Sequence, residues 1–137
     1  NTAKAYGTLN GTSTDSIHAG GSTPSITGQV ELWNGSSWTE TTDLNTARSY
    51  LASSGTSTSV IVFGGYLGPP GSTGATEFWN GSSWTEVNDL GTTRYDSSGS
   101  GQSSSSALAT GGFISDETNV AEEFTAADFT INPVTTS

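Results

Sequence analysis

Cysteine and methionine are both absent from this chain of 137 residues. Without cysteine there are no disulfides to staple a small fold and no thiolate ligands for a metal. Histidine is nearly absent as well. His18 stands alone, whereas zinc and copper sites draw on several imidazole or thiolate ligands, so neither is expected. The missing methionine includes the first residue, from which a processed N-terminus or a segment of something longer is expected. Positive charge is scarce: three Lys and Arg face 13 Asp and Glu, a formal net charge of −10. A phosphate-binding surface needs clustered cations, so nucleic acid is excluded as an expected partner. The acidity suits solubility in salty surroundings and discourages contact with anionic membranes. No apolar run approaches the length that spans a bilayer, and the opening residues do not read as a charged-then-apolar signal segment.

With 31% hydrophobic residues and abundant Ser, Thr and Gly, the chain looks at first like a low-complexity coil. The aromatic residues argue against that, because they keep register. Trp33-Asn34-Gly35-Ser36-Ser37-Trp38-Thr39-Glu40 recurs letter for letter, 46 residues on, as Trp79-Asn80-Gly81-Ser82-Ser83-Trp84-Thr85-Glu86. In a degenerate third copy Phe124 stands for the first Trp and Phe129 for the second. The glycine pairs Gly20-Gly21, Gly64-Gly65 and Gly111-Gly112 are spaced by 44 and 47 residues, and Lys4, Arg48 and Arg94 by 44 and 46. The chain therefore divides into repeats 1–44, 45–90 and 91–137, together one domain or part of one. A period in the forties marks a propeller or repeat array, whose stacked units bury their aromatics as a continuous core.

Each repeat reads as all-β. In 45–90, a stretch of small residues over 50–58 is followed by the apolar run Val60-Ile61-Val62-Phe63, which stops at Gly64-Gly65 as a buried strand does. A loop over 66–74 carries Pro69-Pro70-Gly71 as breakers. A third strand runs to Trp79, and Asn80-Gly81 predicts a tight hairpin, because both residues tolerate positive φ. A fourth strand covers 84–87. Four short antiparallel strands in forty-odd residues describe a propeller blade.

Val62-Phe63-Gly64-Gly65, the aromatic Trp79, Trp84 five residues later, and Arg48 opening the first strand resemble a kelch motif. The narrower phrasing Asn45-Thr46-Ala47-Arg48 … Trp79-Asn80-Gly81-Ser82-Ser83-Trp84 is similar to kelch-like repeat arrays in virion proteins of tailed bacteriophages, especially those of marine cyanobacteria. Ala121-Glu122-Glu123-Phe124 and the residues after it resemble the terminal repeat of such arrays. The first copy, Ile17-His18-Ala19-Gly20-Gly21, is more polar than the family pattern, and the third lacks both Trp residues. The resemblance implies kelch-like β-propeller blades, three in number, and a partial or half propeller. Closed propellers use four to eight blades. The expected partners are therefore copies of the chain itself (two chains giving six blades), upstream blades of a longer chain, or other virion proteins.

Candidate chemistry is thin. His18 lies in a strand, where a lone His is more often a core residue than a catalyst. Glu40 and Glu86 recur, as do Asp43 and Asp89, and read as blade structure rather than as a glycosidase pair. Asp116-Glu117 and Glu122-Glu123 occur in the third repeat only and read as solvated loop and strand edge. Asp116-Glu117 lacks the alternating ligand spacing of a calcium loop. Lys4, Arg48 and Arg94 are expected to tie neighbouring repeats together through carboxylates or backbone carbonyls. No enzyme, no metal and no cofactor are expected. Function then falls to the segments that differ between repeats: 22–28 with Ser22 and Pro24, 66–74 with Tyr66, Leu67, Pro69 and Pro70, and 113–119 with Phe113, Asp116 and Glu117. They are expected on one face, as candidate partner-binding loops. The expected role is a virion or extracellular surface component, non-catalytic, serving as a scaffold for adsorption. The alternatives are a lectin-like module recognising a host-surface glycan and a bacterial surface adhesin.

Overall fold

The computed structural model describes residues 2–69, 71–125 and 130–134. These form strands β1 (Thr8–Gly11), β2 (Ser16–Ala19), β3 (Val30–Trp33), β4 (Trp38–Glu40), β5 (Ala52–Thr56), β6 (Ser59–Phe63), β7 (Thr76–Trp79), β8 (Trp84–Val87), β9 (Ser98–Ser103), β10 (Ser106–Thr110), β11 (Ala121–Thr125) and β12 (Thr130–Val134). The strands pair antiparallel in sequence order as three four-stranded sheets, one from each repeat, and the described residues contain no helix. The protein is an array of three propeller blades.

Strand alternation decides how the blades stack. In blade 2 the register sets Val62 opposite Glu77, Val60 opposite Trp79, and Trp79 opposite Trp84, so these side chains share one face. That face packs with Leu51 on Ile17, Ala19, Val30 and Leu44 of blade 1. The other face of blade 2, with Ala52, Ile61, Phe63, Val87 and Leu90, packs on Ala107, Ala109 and Phe124 of blade 3. β6 is buried on both faces, which explains its unbroken apolar run. β2 and β10 are each covered on one face, and they alternate accordingly. Ile17 and Ala19 are buried whereas His18 is half-buried; Ala107 and Ala109 are buried whereas Leu108 and Thr110 are half-buried. The polar first copy of the motif is thus a strand with one unpartnered face.

The first strand of each blade is innermost, and β5 lies against both β1 and β9. This crowding accounts for the small residues of 50–58: a Cβ on Gly99 would overlap the backbone of Ser53. Hydroxyls join the inner strands, with Ser53 Oγ bonded to Thr8 and Asn10, and Ser59 Oγ to Ser104 Oγ at 2.7 Å. The glycine pairs mark where one blade's backbone meets the next. Gly64 (φ 64°) and Gly65 (φ 125°) occupy conformations costly for other residues. Gly65 N–H donates to Arg94 O at 2.8 Å, and Gly21 N–H donates likewise to Arg48 O at 2.9 Å. A Cβ on Gly64 would stand 2.7 Å from Arg94 O.

The hairpins fall where Asn-Gly marks them, between the pairs Trp33–Trp38 and Trp79–Trp84. Asn34 N–H and Asn80 N–H close each turn on Ser37 O and Ser83 O at 3.2 Å. Of the turn residues only the glycines, Gly35 (φ 92°) and Gly81 (φ 97°), take positive φ. The asparagines act through their side chains: Asn80 Oδ1 accepts from Ser82 N and Ser83 N, both at 3.0 Å, and Asn34 Oδ1 does the same for Ser36 and Ser37. This local capping offers the chain a turn without demanding positive φ from Asn.

Trp33 and Trp79 sit in identical octapeptides but in different surroundings, half-buried and fully buried respectively. Trp79→Ala is expected to cost about 3–5 kcal/mol, in the range for a large buried aromatic. Trp33→Ala is expected to cost roughly half of that or less, since part of its side chain keeps contact with water and no neighbouring blade packs on it. Chemical denaturation of both variants checks this; equal losses would contradict the packing described.

Candidate functional site

Three arrangements gather the polar chemistry of the chain. The first is a buried carboxylate clamp at the start of each repeat. Glu77 Oε2 accepts from Asn45 N at 2.7 Å, while Oε1 accepts from Thr46 N at 3.2 Å and from Arg48 Nη1 at 2.8 Å. Glu122 repeats the pattern on Gly91 N at 2.7 Å, Thr92 N at 3.2 Å and the Arg94 guanidinium. Lys4 pairs with Glu31 at 3.1 Å. Arg48, Arg94, Glu77 and Glu122 are all buried. Burial pulls the Arg48 and Arg94 guanidinium groups below their ordinary pKa, and Glu77 and Glu122 respectively oppose that shift.

Two sequence expectations are corrected here. The cations do not reach across to neighbouring repeats: each side chain finds its carboxylate within its own repeat, and it is backbone groups that bond to the preceding blade, namely the carbonyls of Arg48 and Arg94 and the Arg94 N–H, which donates to Thr73 O at 3.3 Å. Glu122 is also no solvated strand edge but a buried clamp residue, while Glu123 beside it is exposed. The signal was present two residues before each aromatic, as Glu31-x-Trp33, Glu77-x-Trp79 and Glu122-x-Phe124.

The second arrangement is the end of the array that bears the loops between second and third strands. All three loops are built on one stalk: Thr27 N, Thr73 N and Thr118 N donate to Gly21 O, Gly65 O and Gly112 O at 2.9, 2.9 and 3.0 Å. Between these fixed ends the contents diverge. Ser22 Oγ bonds Pro24 O at 2.7 Å, and Pro24 is exposed. Leu67, Ile114, Pro69, Asp116 and Glu117 are exposed, and Tyr66 and Phe113 are half-buried. Pro70 and the repeat position Phe129 lie outside the described residues.

Tyr66 and Phe113 belong to a continuous aromatic row that the sequence reading missed. Tyr6 stacks on Tyr50 with centroids 4.3 Å apart, and Tyr50 meets Tyr66 and Tyr95 edge-on at 6.5 and 6.1 Å. Tyr66 and Tyr95 are 5.3 Å apart, and Phe113 stacks on Tyr95 at 5.8 Å. The detectable signal was the recurrence of Tyr6 as Tyr50, two residues after Lys4 and Arg48; Tyr95 is shifted by one and so escapes it. Tyr6, Tyr50 and Asp96 hold positive φ of 61°, 52° and 55°, an uncommon conformation for such residues. It is fixed by a ladder between blades, Tyr50 N–H to Tyr6 O at 2.7 Å and Asp96 N–H to Tyr50 O at 2.8 Å. Lost hydration, the Tyr6 hydroxyl and the Asp96 charge raise the Tyr50 phenol above its ordinary pKa. With Tyr6 57%, Leu67 47% and Ile114 44% exposed, this end carries an apolar, hydroxyl-bearing surface.

The third arrangement is the open face of blade 1. A recess of about 240 Å³ is lined by Lys4, His18, Glu31 and Trp38, and a second of about 310 Å³ by Leu9, Ser16, Trp33 and Trp38. His18 meets Trp38 edge-on at 6.4 Å. Burial and the Lys4 charge hold the imidazole below its ordinary pKa of 6.5, against a smaller upward pull from Glu31. Burial acts to raise the Glu31 carboxyl, but the neighbouring positive charges, Lys4 foremost, more than offset it, and the group sits below its ordinary 4.5.

No protein-family model and no curated protein matches the sequence. Among solved structures the fold is similar to that of YjhT, with a TM-score of 0.79 over 97% of this chain at 13% identity. The chain spans 46% of that protein's length, a little under half.

Removing one partner of a buried ion pair strands the other charge, at about 3–5 kcal/mol. Glu77→Ala is therefore expected to lower stability by that amount, while Glu86→Ala, at an exposed site, stays within about 0.5 kcal/mol; thermal unfolding of the two variants compares them. The unfolded chain binds a proton at His18 more readily than the folded chain, so stability rises with pH across this titration. That contribution is complete above pH 6.5 and is lost as pH falls below it, while the Glu31 contribution is lost only below 4.5. His18→Gln is expected to flatten the midpoint between pH 7.5 and 5.5, and an unchanged slope would refute the assignment.

Proposed function

We propose that this protein is a non-catalytic surface component of a bacteriophage virion, a fibre, tail or head appendage, in which the blades are a rigid scaffold for adsorption through the loop end. The observation that carries this reading is the contrast between frame and loops. Identical backbone bonds close all three loops, yet 22–26, 66–72 and 113–117 differ in sequence, and Tyr66 and Phe113 of the last two belong to the half-buried aromatic row. Recognition residues are commonly placed on loops held by a fixed scaffold. The kelch-like phrasing of the repeats supports the phage setting. A non-catalytic role is supported by the inventory: the buried carboxylates are spent on the clamps, and the one imidazole lies apart from any nucleophile–base pair.

A second reading, a glycan-binding module, draws on the phenol-bearing row itself. Aromatic faces flanked by hydroxyls suit the apolar faces and hydroxyls of a sugar ring. One set of experiments separates the two. Mass spectrometry of purified particles should find the chain in the virion, and its absence there removes the first reading. Soluble protein should compete with particles for host cells, and Tyr66→Ser with Phe113→Ser should abolish that competition. Glycan-array binding lost in the same variant would favour the second reading, and a blank array with retained competition would point to a protein receptor.

A further inference from the structure

The internal repeat makes each unpartnered face of the array comparable with faces whose partners are visible. Blade 2 presents Val60, Val62, Trp79 and Trp84 to the blade before it. The equivalent positions of blade 1 are Ser16, which is buried, and His18, Trp33 and Trp38, which are half-buried; they line the two recesses of its unpartnered face. Blades 1 and 2 present Ile17 with Ala19, and Ile61 with Phe63, to the blade after them. The equivalents in blade 3 are Leu108 and Thr110, half-buried and facing no further blade.

The backbone repeats the same argument. At each internal seam the second glycine of a pair donates to the carbonyl of the next blade's Arg, as Gly21 to Arg48 and Gly65 to Arg94. Tyr50 N–H and Asp96 N–H donate to the carbonyls of Tyr6 and Tyr50. Trp84 Nε1 donates to Thr42 O of the preceding blade at 3.0 Å. At the two ends of the array the corresponding groups have no partner among the described residues: Gly112 N–H, Tyr6 N–H and Trp38 Nε1 as donors, Lys4 O and Asp96 O as acceptors. They are the two halves of a third seam in matching register.

We propose that the open face of blade 1 docks the open face of blade 3 of a second copy of this chain, so that two copies close a six-bladed ring through two identical seams. Six lies within the range in which propeller rings close, and a twofold pair satisfies both open faces at once, leaving no edge for open-ended growth. Gly112 N–H then donates to the partner copy's Lys4 carbonyl, Tyr6 N–H to its Asp96 carbonyl, and Trp38 is covered as Trp84 is. The seam between copies is more polar than those within the chain, with Ser16 and His18 standing where Val60 and Val62 stand. The ring is therefore a reversible dimer. This inference does not depend on what the loop end binds.

Light scattering and native mass spectrometry over a dilution series test it. The expected result is an equilibrium between 14.0 kDa and twice that mass, with tryptophan emission shifting to the blue as the dimer forms. Trp38→Glu on one face and Thr110→Arg on the other should each weaken self-association by roughly thirtyfold or more, the effect of losing a central contact. Because a seam needs one face of each kind, mixing the two variants should restore a single seam and give a heterodimer that neither forms alone. Circular dichroism of each variant as a monomer verifies that it folds. A 14.0 kDa monomer at all concentrations up to roughly 200 µM, near the weak end of specific association, overturns the proposal. A dimer that survives both substitutions, or an open-ended series of larger species, also overturns it.

Discussion

The arrangement depends on a carboxylate that is out of water. Glu77 and Glu122 each hold two backbone N–H groups and an arginine of the segment that leads from one blade into the next. A buried ion pair contributes little net stability by itself, because desolvating both charges offsets most of their attraction. Its value here is geometric. The segment 45–51 has no strand of its own to fix it, yet it must deliver β5 to the axis and set Leu51 between blades. Three bonds to one carboxylate specify that path where apolar packing alone would tolerate several. The backbone carbonyl of the clamped arginine then accepts from the preceding blade's glycine pair, so a contact confined to one repeat fixes the seam between two.

That mechanism explains why charge and aromatic residues recur together. Glu77 and Trp79 lie on the same face of β7, two residues apart, and the clamp and the core therefore rise or fall as a unit. The same face of β3 carries Glu31 and Trp33, but no blade covers it, and there the tryptophans are half-exposed and His18 replaces a valine. Blade 1 thus retains the clamp without the packing. The difference between Trp33 and Trp79 is a difference of neighbours, since their local sequences are identical.

Much of this was legible in the residues. The octapeptide repeat, the glycine pairs and the apolar run 60–63 led to four-stranded blades, and the last strand of the second blade covers Trp84–Val87 as read. What escaped reading had physical causes. The hairpins were legible but the form of their turns was not, because Asn-Gly admits two solutions, positive φ at both residues or side-chain capping by Asn, and the following Ser36-Ser37 and Ser82-Ser83 favour the second. Glu122 was misjudged because its neighbour Glu123 is truly exposed, and two adjacent acids in a strand face opposite ways. The aromatic row was hidden since it joins residues from linkers and loops of different blades, a proximity that no spacing within one repeat encodes.

The polar character of β2 differs between its two faces. Divergence is confined to positions 16 and 18, while Ile17 and Ala19, which face blade 2, keep the apolar pattern. A strand under no constraint would lose both sets alike. Ser16 is buried and bonded to Thr12 O, so it is the half-buried His18 whose polarity solvent contact would favour, while Trp33 and Trp38 on that same face are what a covering partner would favour. A surface that must be tolerable in water yet complementary to a blade meets both demands, which distinguishes a reversible seam from a permanent core.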